Sequence, residues 1–239
     1  MTKPTHGPPP NSVPGIQDYT RLAGDYDSTR YVQAIHVRHE DSRRRVLEGL
    51  LPAAVRVAAD VACGTGRGLS ILQKRAGVLI GIDGTLAMLE VARQKHATTN
   101  TRLVQANAGK LPFADGVFDL ITCLNFVHLF DKVDTKAAFV SEMGRVLAPG
   151  GLLIVEFDNA LQGLVLGAIR KYAGRDIGYD WPWHMHASFK LDGLRIVRVA
   201  GANLPGLWRV PGLRHMDRYT DRFPLNYLAN RIFIAATRS

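Results

Sequence analysis

Five short runs read as strands, four of them mostly apolar: VRVAADVA (55–62), VLIGID (78–83), TRLVQAN (101–107, the more polar one), FDLITCLN (118–125) and LLIVEF (152–157). They constrain the fold most, because a strand apolar on both faces must be covered on both. Between them lie stretches with helical spacing. DSRRRVLEGLL (41–51) carries Val46, Leu47, Leu50 and Leu51, with Asp41 or Ser42 placed as the N-cap. GLSILQKRA (68–76) reads as a helix stopped by Gly77. TLAMLEVARQKH (85–96) sets Leu86, Leu89 and Ala92 on one side, and DTKAAFVSEMGRVLA (134–148) closes at Pro149-Gly150-Gly151. Strands alternating with helices imply right-handed crossovers and a parallel sheet between two helical layers, an α/β doubly wound fold.

After residue 158 the pattern changes. ALQGLVLGAIRKYAG (160–174) is helical and YDWPWHMH has no clear period; LRIVRVAGANL (194–204) and RIFIAATR (231–238) read as two more strands. No repeat, heptad or linker divides the chain, and 239 residues suit one large domain with a lid. The opening MTKPTHGPPPNSVPG reads as a disordered leader over residues 1–15, without the apolar stretch of a secretory signal. No apolar run approaches the roughly 18 residues of a membrane-spanning helix. Cys63 and Cys123 read as free thiols of a reducing cytoplasm.

The loop DVACGTGRG (60–68) places Gly64, Gly66 and Gly68 between a strand and a helix. Glycines there let a ligand touch the backbone. The dinucleotide fingerprint needs its third glycine three residues after the second, so that pyrophosphate can sit on the helix N-terminus. Here that position is Leu69, and Gly68 reads as a small residue where the next helix starts. Asp60 at the strand end disfavours a pyrophosphate and suits a cationic ligand. Asp83 ends the next strand, 17 residues after Gly66. A carboxylate at that point can accept both hydroxyls of an adenosine ribose, a feature shared with dehydrogenases.

Together these segments resemble class I S-adenosylmethionine-dependent methyltransferases, of the large subgroup acting mostly on small molecules. VAADVACGTGRG is similar to the family's first motif and GIDGTLAMLEVAR to its ribose-binding motif. QANAGKLPFADGVFDLI is similar to its adenine segment, and RVLAPGGLLIVEF to the turn into the fifth strand. The resemblance implies a Rossmann-like sheet of seven strands in the order 3-2-1-4-5-7-6, the last antiparallel, with N-terminal helices and a lid. It implies an N-terminal helical cap over residues 16–50, a cofactor-binding core over 51–158, and a lid with the last two strands over 159–239. It also implies S-adenosylmethionine as cofactor and S-adenosylhomocysteine as product. Asp60, Ala62, Cys63, Gly64 and Gly66 would then cradle the methionine moiety, Asp83 would hold the ribose, and Gly84 and Met88 would flank the adenine. Where the family usually has Asp, this chain has Asn107, whose amide oxygen can accept from the adenine amine; the N–H of Ala108 is the alternative. Leu124 and Asn125 would lie against the cofactor. YTRLAGDYDSTRY (19–31) resembles the family's closing N-terminal helix, in which Tyr26 would cover the sulfonium end and Arg30 would pair with the methionine carboxylate.

Methyl transfer needs orientation and, for O- or C-methylation, often a general base. His128, within one turn of Asn125, stands where such a base belongs, or serves the packing. His184 and His186, two apart, would share one face if WPWHMH were a strand, but no third metal ligand is evident, so no metal is expected. Trp181, Trp183, His184 and His186 then read as lid or substrate-pocket residues. The net charge is +9, and residues 160–239 hold 12 Lys and Arg against 5 Asp and no Glu. Arg195, Arg198, Arg209, Arg214, Arg218 and Arg222 therefore point to an anionic or acidic small acceptor, or form a solubilising surface, while Trp181 and Trp183 could shelter an apolar or aromatic one or staple the lid to the core. An RNA methyltransferase is the alternative that this charge raises. The segment Leu124-Asn125-Phe126-Val127 lacks the Pro-Pro-aromatic signature of base-amine methylation, so nucleic acid is not the expected partner.

Overall fold

A computed structural model describes residues 20, 23–27, 34–96, 98, 100–130, 132–160, 181–189, 193–204, 219–220, 222 and 224–239. The strands form where the five runs lie: β1 Val55–Val61, β2 Ala76–Asp83, β3 Thr101–Gln105, β4 Phe118–Cys123 and β5 Leu147–Asp158. β6 Leu194–Ala202 and β7 Arg231–Arg238 complete a seven-stranded sheet in the order β3-β2-β1-β4-β5-β7-β6. β1 to β5 pair in parallel, and β7 runs antiparallel to both β5 and β6. This is the expected α/β Rossmann-like topology. The helices are α1 Ala34–Leu50, α2 Leu69–Leu72, α3 Leu86–Lys95, α4 Val133–Val146, α5 Pro182–Ser188 and α6 Leu225–Leu228. No helix among the described residues is long and apolar enough to cross a membrane.

Strand side chains alternate between two cores. Ala59, Val61, Ile121, Cys123, Leu153, Val155, Phe157, Ile232 and Ile234 face Phe139, Val140 and Met143 of α4 and Met185 of α5. Ala58, Leu120, Ile154, Phe233 and Ala235 face Leu47 and Leu50 of α1, Leu69 and Leu72 of α2, and Leu89 and Ala92 of α3. The alternation dictates the site. Asp60, Thr122 and Glu156 lie two residues beyond Ala58, Leu120 and Ile154, so all three belong to the α1 side of the sheet.

Several element ends differ from the sequence reading. α1 begins by Ala34, so neither Asp41 nor Ser42 caps it; Ser42 is buried mid-helix, and its Oγ accepts the Asn203 N–H at 3.3 Å. The expected helix over 68–76 is the single turn α2, and Gly77 lies inside β2 instead of stopping a helix. The strand wins there because the chain runs tight against β1: a Cβ on Gly77 would stand 2.9 Å from the Arg56 carbonyl. The Asn100 amide also ties down the carbonyls of Gln73 and Ala76, at 3.2 and 2.9 Å. α4 ends before the Pro149-Gly150-Gly151 turn, which lies within β5. The expected leader, the 160–174 helix and most of the expected lid lie outside the described residues.

Candidate active site

β1 and β4 are each followed by a left-handed residue that is not glycine: Ala62, directly after β1, at φ 60° and Asn125, two residues after β4, at φ 57°. Such a conformation costs roughly 1 kcal/mol. Together they turn two neighbouring chains away from each other, opening a crevice at the carboxyl ends of the strands, where open α/β sheets take their ligands.

The three loop glycines have different work. Gly64 is left-handed, φ 53°, and a Cβ on it would meet nothing within 4 Å, so its backbone faces open space. Gly66, φ 88°, lies under α3; a Cβ would come within 2.4 Å of the His96 ring. Gly68 is not merely a small residue at a helix start: a Cβ there would stand 2.3 Å from Asp60 Oδ2.

The cleft above the loop encloses about 1140 Å³ including its mouth. Tyr26, Asp60, Ala62, Cys63, Gly64, Asp83, Gly84, Met88, Ala108, Leu124 and Asn125 line it together, as the sequence reading grouped them. Gly66 and Asn107 are not on this wall. Asn107 is drawn into a local turn instead, its Oδ1 accepting the Gly109 N–H at 2.8 Å, while its neighbours Ala106 and Ala108 line the cleft. Arg30 lies outside the described residues.

Asp83 is held as an acceptor: the Gly64 N–H donates to Oδ2 at 2.8 Å and the Thr85 N–H to Oδ1 at 2.9 Å. Burial pushes its carboxyl above the usual range, and those N–H groups oppose the rise. Asp60 is 2% exposed and accepts the Thr122 hydroxyl at 2.6 Å. The N-terminal segment is docked onto the loop: Thr65 Oγ1 donates to Asp27 at 3.1 Å, and Lys95 of α3 pairs with the same carboxylate.

On and behind the far wall lie residues to which the sequence reading gave no role. Glu156 is fully buried, and Arg43 of α1 grips it with Nε at 2.6 Å and Nη2 at 2.5 Å. Asn125 donates its N–H to the same carboxylate at 2.9 Å, so this ion pair holds one of the two left-handed residues. Glu40 pairs with Arg43 and Arg67, and Arg44 with Glu48. A lone charge in the apolar LLIVEF was the available signal for Glu156.

Residues 59–155 match the family described as methyltransferase domain. Over those residues the chain is similar to class I S-adenosylmethionine-dependent methyltransferases. It is 36% identical to the demethylmenaquinone methyltransferase of Staphylococcus aureus strain JH9 over 140 residues, 57% of this chain and 56% of that enzyme. This chain therefore spans little more than half the length of that relative. In fold it is similar to a possible histamine N-methyltransferase from Thermotoga maritima, with a TM-score of 0.67 at 16% identity over 92% of this chain and 98% of that one. It is also similar to the N-methyltransferase NodS from Bradyrhizobium japonicum, solved with S-adenosylhomocysteine, with a TM-score of 0.62 at 15% identity over 91% and 94% of the two chains.

The structure does not gather the expected acceptor residues at the cleft. His128 lies on the single 3₁₀ turn Val127–Leu129, off the cleft wall, where its charge acts on Glu156. WPWHMH is not a strand: it enters α5, so His184 and His186 point to different sides and do not form a pair. His186 instead meets the Tyr227 hydroxyl at 3.0 Å and stacks on its ring, while Met185 and Phe189 anchor α5 in the core. Trp181 precedes α5 and is not on the described wall. The Trp183 side chain and Arg209, Arg214 and Arg218 lie outside the described residues. Among the described residues no group of three His, Cys, Asp or Glu is placed to hold a metal ion. Part of the basic excess of the last third serves the fold. Arg198 donates to the Gly49 carbonyl, Arg238 to the carbonyls of Arg145 and Leu147, and Arg231 pairs with Asp158.

Proposed function

We propose that the chain moves the methyl group of S-adenosylmethionine to an O, N or C atom of a small acceptor with an apolar or aromatic face. The observation that carries the reading is the crevice between the left-handed residues that follow β1 and β4, with open backbone at Gly64 and a doubly held carboxylate at Asp83. The Asp83 oxygens accept backbone N–H groups of Gly64 and Thr85 and keep acceptor capacity for the ribose hydroxyls. Gly64 would approach the methionine moiety, with Asp60 facing its positive charge. Met88, Ala106 and Ala108 offer apolar wall for the adenine. When bound, the cofactor supplies a carbon already electrophilic beside sulfonium; the protein's part is to orient acceptor and donor and exclude water.

The acceptor would lie past Asn125, where Leu124, Phe126, Leu129 and Phe233 line the cleft. The cleft-wall arginines Arg43, Arg44 and Arg67 are all paired with glutamates, which favours an apolar ring over the anionic acceptor expected from the net charge. The Staphylococcus aureus relative, named for a quinone precursor, supports the same class. We further propose that residues 16–50 cap the cofactor core at 51–158 and that residues 159–239 form the acceptor side.

The test is thermal unfolding of the protein with S-adenosylmethionine, S-adenosylhomocysteine or NAD, followed by labelled methyl transfer onto a panel of quinols, phenols and anionic metabolites. Stabilisation by the first two and transfer onto ring acceptors is expected. Stabilisation by NAD alone would reject the reading.

A further inference from the structure

We propose that Asp60 distinguishes the cationic methyl donor from its uncharged product, giving up a proton when the sulfonium binds and keeping it when the thioether binds. This rests on the reading of the cleft as an S-adenosylmethionine site. Asp60 ends β1 on the α1 side of the sheet and is 2% exposed, yet lines the cleft. Its Oδ1 accepts the Thr122 hydroxyl at 2.6 Å, and Gly68 is pressed against Oδ2.

The surroundings supply no positive charge to it. From β2 comes Asp83, a like charge, and Cys63 and Cys123 flank it on the loop and on β4. From the N-terminal segment comes Tyr26; from α1 come Glu40, Arg43 and Arg44, and from the loop Arg67. Arg43 is committed to Glu156 and Glu40, Arg67 to Glu40, and Arg44 to Glu48. Among the described residues no cation pairs with Asp60.

Burial therefore pushes the Asp60 carboxyl up to about 7; the Thr122 hydrogen bond opposes this and the Asp83 charge adds to it. Below neutrality the free protein holds a proton there. A cation in the same cleft favours the carboxylate. The balance is then Asp60–COOH plus the sulfonium giving Asp60–COO⁻ beside the sulfonium, with one proton released to solvent. Once the methyl has left, sulfur carries no charge and the carboxyl takes a proton back, which weakens any preference for retaining product.

The experiment is calorimetric titration of the full chain with S-adenosylmethionine and with S-adenosylhomocysteine, in pairs of buffers of different ionisation enthalpy, from pH 5.5 to 7.5. The amino and carboxylate groups are common to both ligands and cancel in the comparison. At pH 6 most of one proton should leave per donor bound and almost none per product bound. The donor Kd should tighten about twenty-fold across that range while the product Kd shifts less than about threefold. Asp60→Asn should abolish the difference, and Thr122→Val, which removes the opposing hydrogen bond, should move the donor midpoint to higher pH. Equal proton release by both ligands, or a difference surviving in Asp60→Asn, would overturn the proposal. Binding of neither ligand would overturn the cofactor reading and this inference with it.

Discussion

Replacing Arg43 with Ala isolates what the buried ion pair contributes. Glu156 is 0% exposed and receives two N–H groups from Arg43, at 2.6 and 2.5 Å, and one from Asn125 at 2.9 Å, with Arg231 Nε 3.9 Å away. Removing one partner of a buried pair costs about 3–5 kcal/mol, because the other charge is left in a medium that solvates it poorly. Asn125 and Arg231 stay in place, so the lower end applies, about 3 kcal/mol. For a chain of this size that lowers Tm by roughly 6–12 °C. The pH dependence follows from the carboxyl. Burial pushes it up, but the charges of Arg43 and Arg231 and the Arg43 hydrogen bond outweigh burial and hold it below its usual value. A depressed folded value means that its stabilisation is present above the unfolded value and lost as pH falls through the folded one. In Arg43→Ala the carboxyl should rise and take up a proton, so the variant's deficit should be largest at pH 7.5 and shrink towards pH 4.5. Urea unfolding without ligand at both pH values measures this. Arg43→Met/Glu156→Leu, which removes both charges, should recover most of the loss. A deficit under about 1 kcal/mol at pH 7.5, or an equal deficit at both pH values, would show that the pair is not the buried, mutually dependent unit described.

Asp60 has the opposite sign. Its folded value of about 7 lies above the ordinary 3.8, so the native state holds the extra proton and stability falls as pH climbs between them. Asp60→Asn should therefore stabilise the ligand-free protein at pH 8 by up to about 4 kcal/mol, a gain that fades towards pH 4 in urea unfolding; a loss at pH 8 would contradict it. Gly68→Ala puts a Cβ 2.3 Å from Asp60 Oδ2, and overpacking of that kind costs about 1–3 kcal/mol with a matching loss of S-adenosylhomocysteine affinity; unchanged calorimetry would refute the contact. Ala62→Gly relieves a φ of 60° and should raise stability by roughly 1 kcal/mol, so a lower Tm would mean that no strain resides there. Asp83→Asn leaves one of the Gly64 and Thr85 N–H groups facing an amide N–H, which should weaken S-adenosylhomocysteine binding at least about tenfold; retained affinity would remove the ribose assignment.

What the sequence made legible divides along a physical line. A strand needs only a period of two and a cover on each face, so the five strand runs, the loop after β1 and the acids at the ends of β1 and β2 could be placed from local pattern. Those residues converge on one cleft because parallel strands deliver their carboxyl ends to the same edge. The missing half depends on how helices rotate about their own axes. Nothing in Arg43-Arg44-Arg45 says which guanidinium faces the sheet; that is decided when Leu47 and Leu50 bury against Ala58 and Leu120, leaving Arg43 over Glu156. The His184–His186 spacing is ambiguous for the same reason, since two residues apart means one face of a strand but different sides of α5. Asn107 is drawn off the cleft wall by competition at shorter range, its Oδ1 accepting the Gly109 N–H of its own turn. Glu156 shows how such a site is found without a structure. A carboxylate inside an apolar strand must have a buried partner, and the strand's alternation places it on the α1 side. Only the four arginines of α1, Arg38 and Arg43 to Arg45, then need testing, and the one whose loss is rescued by removing Glu156 is the partner.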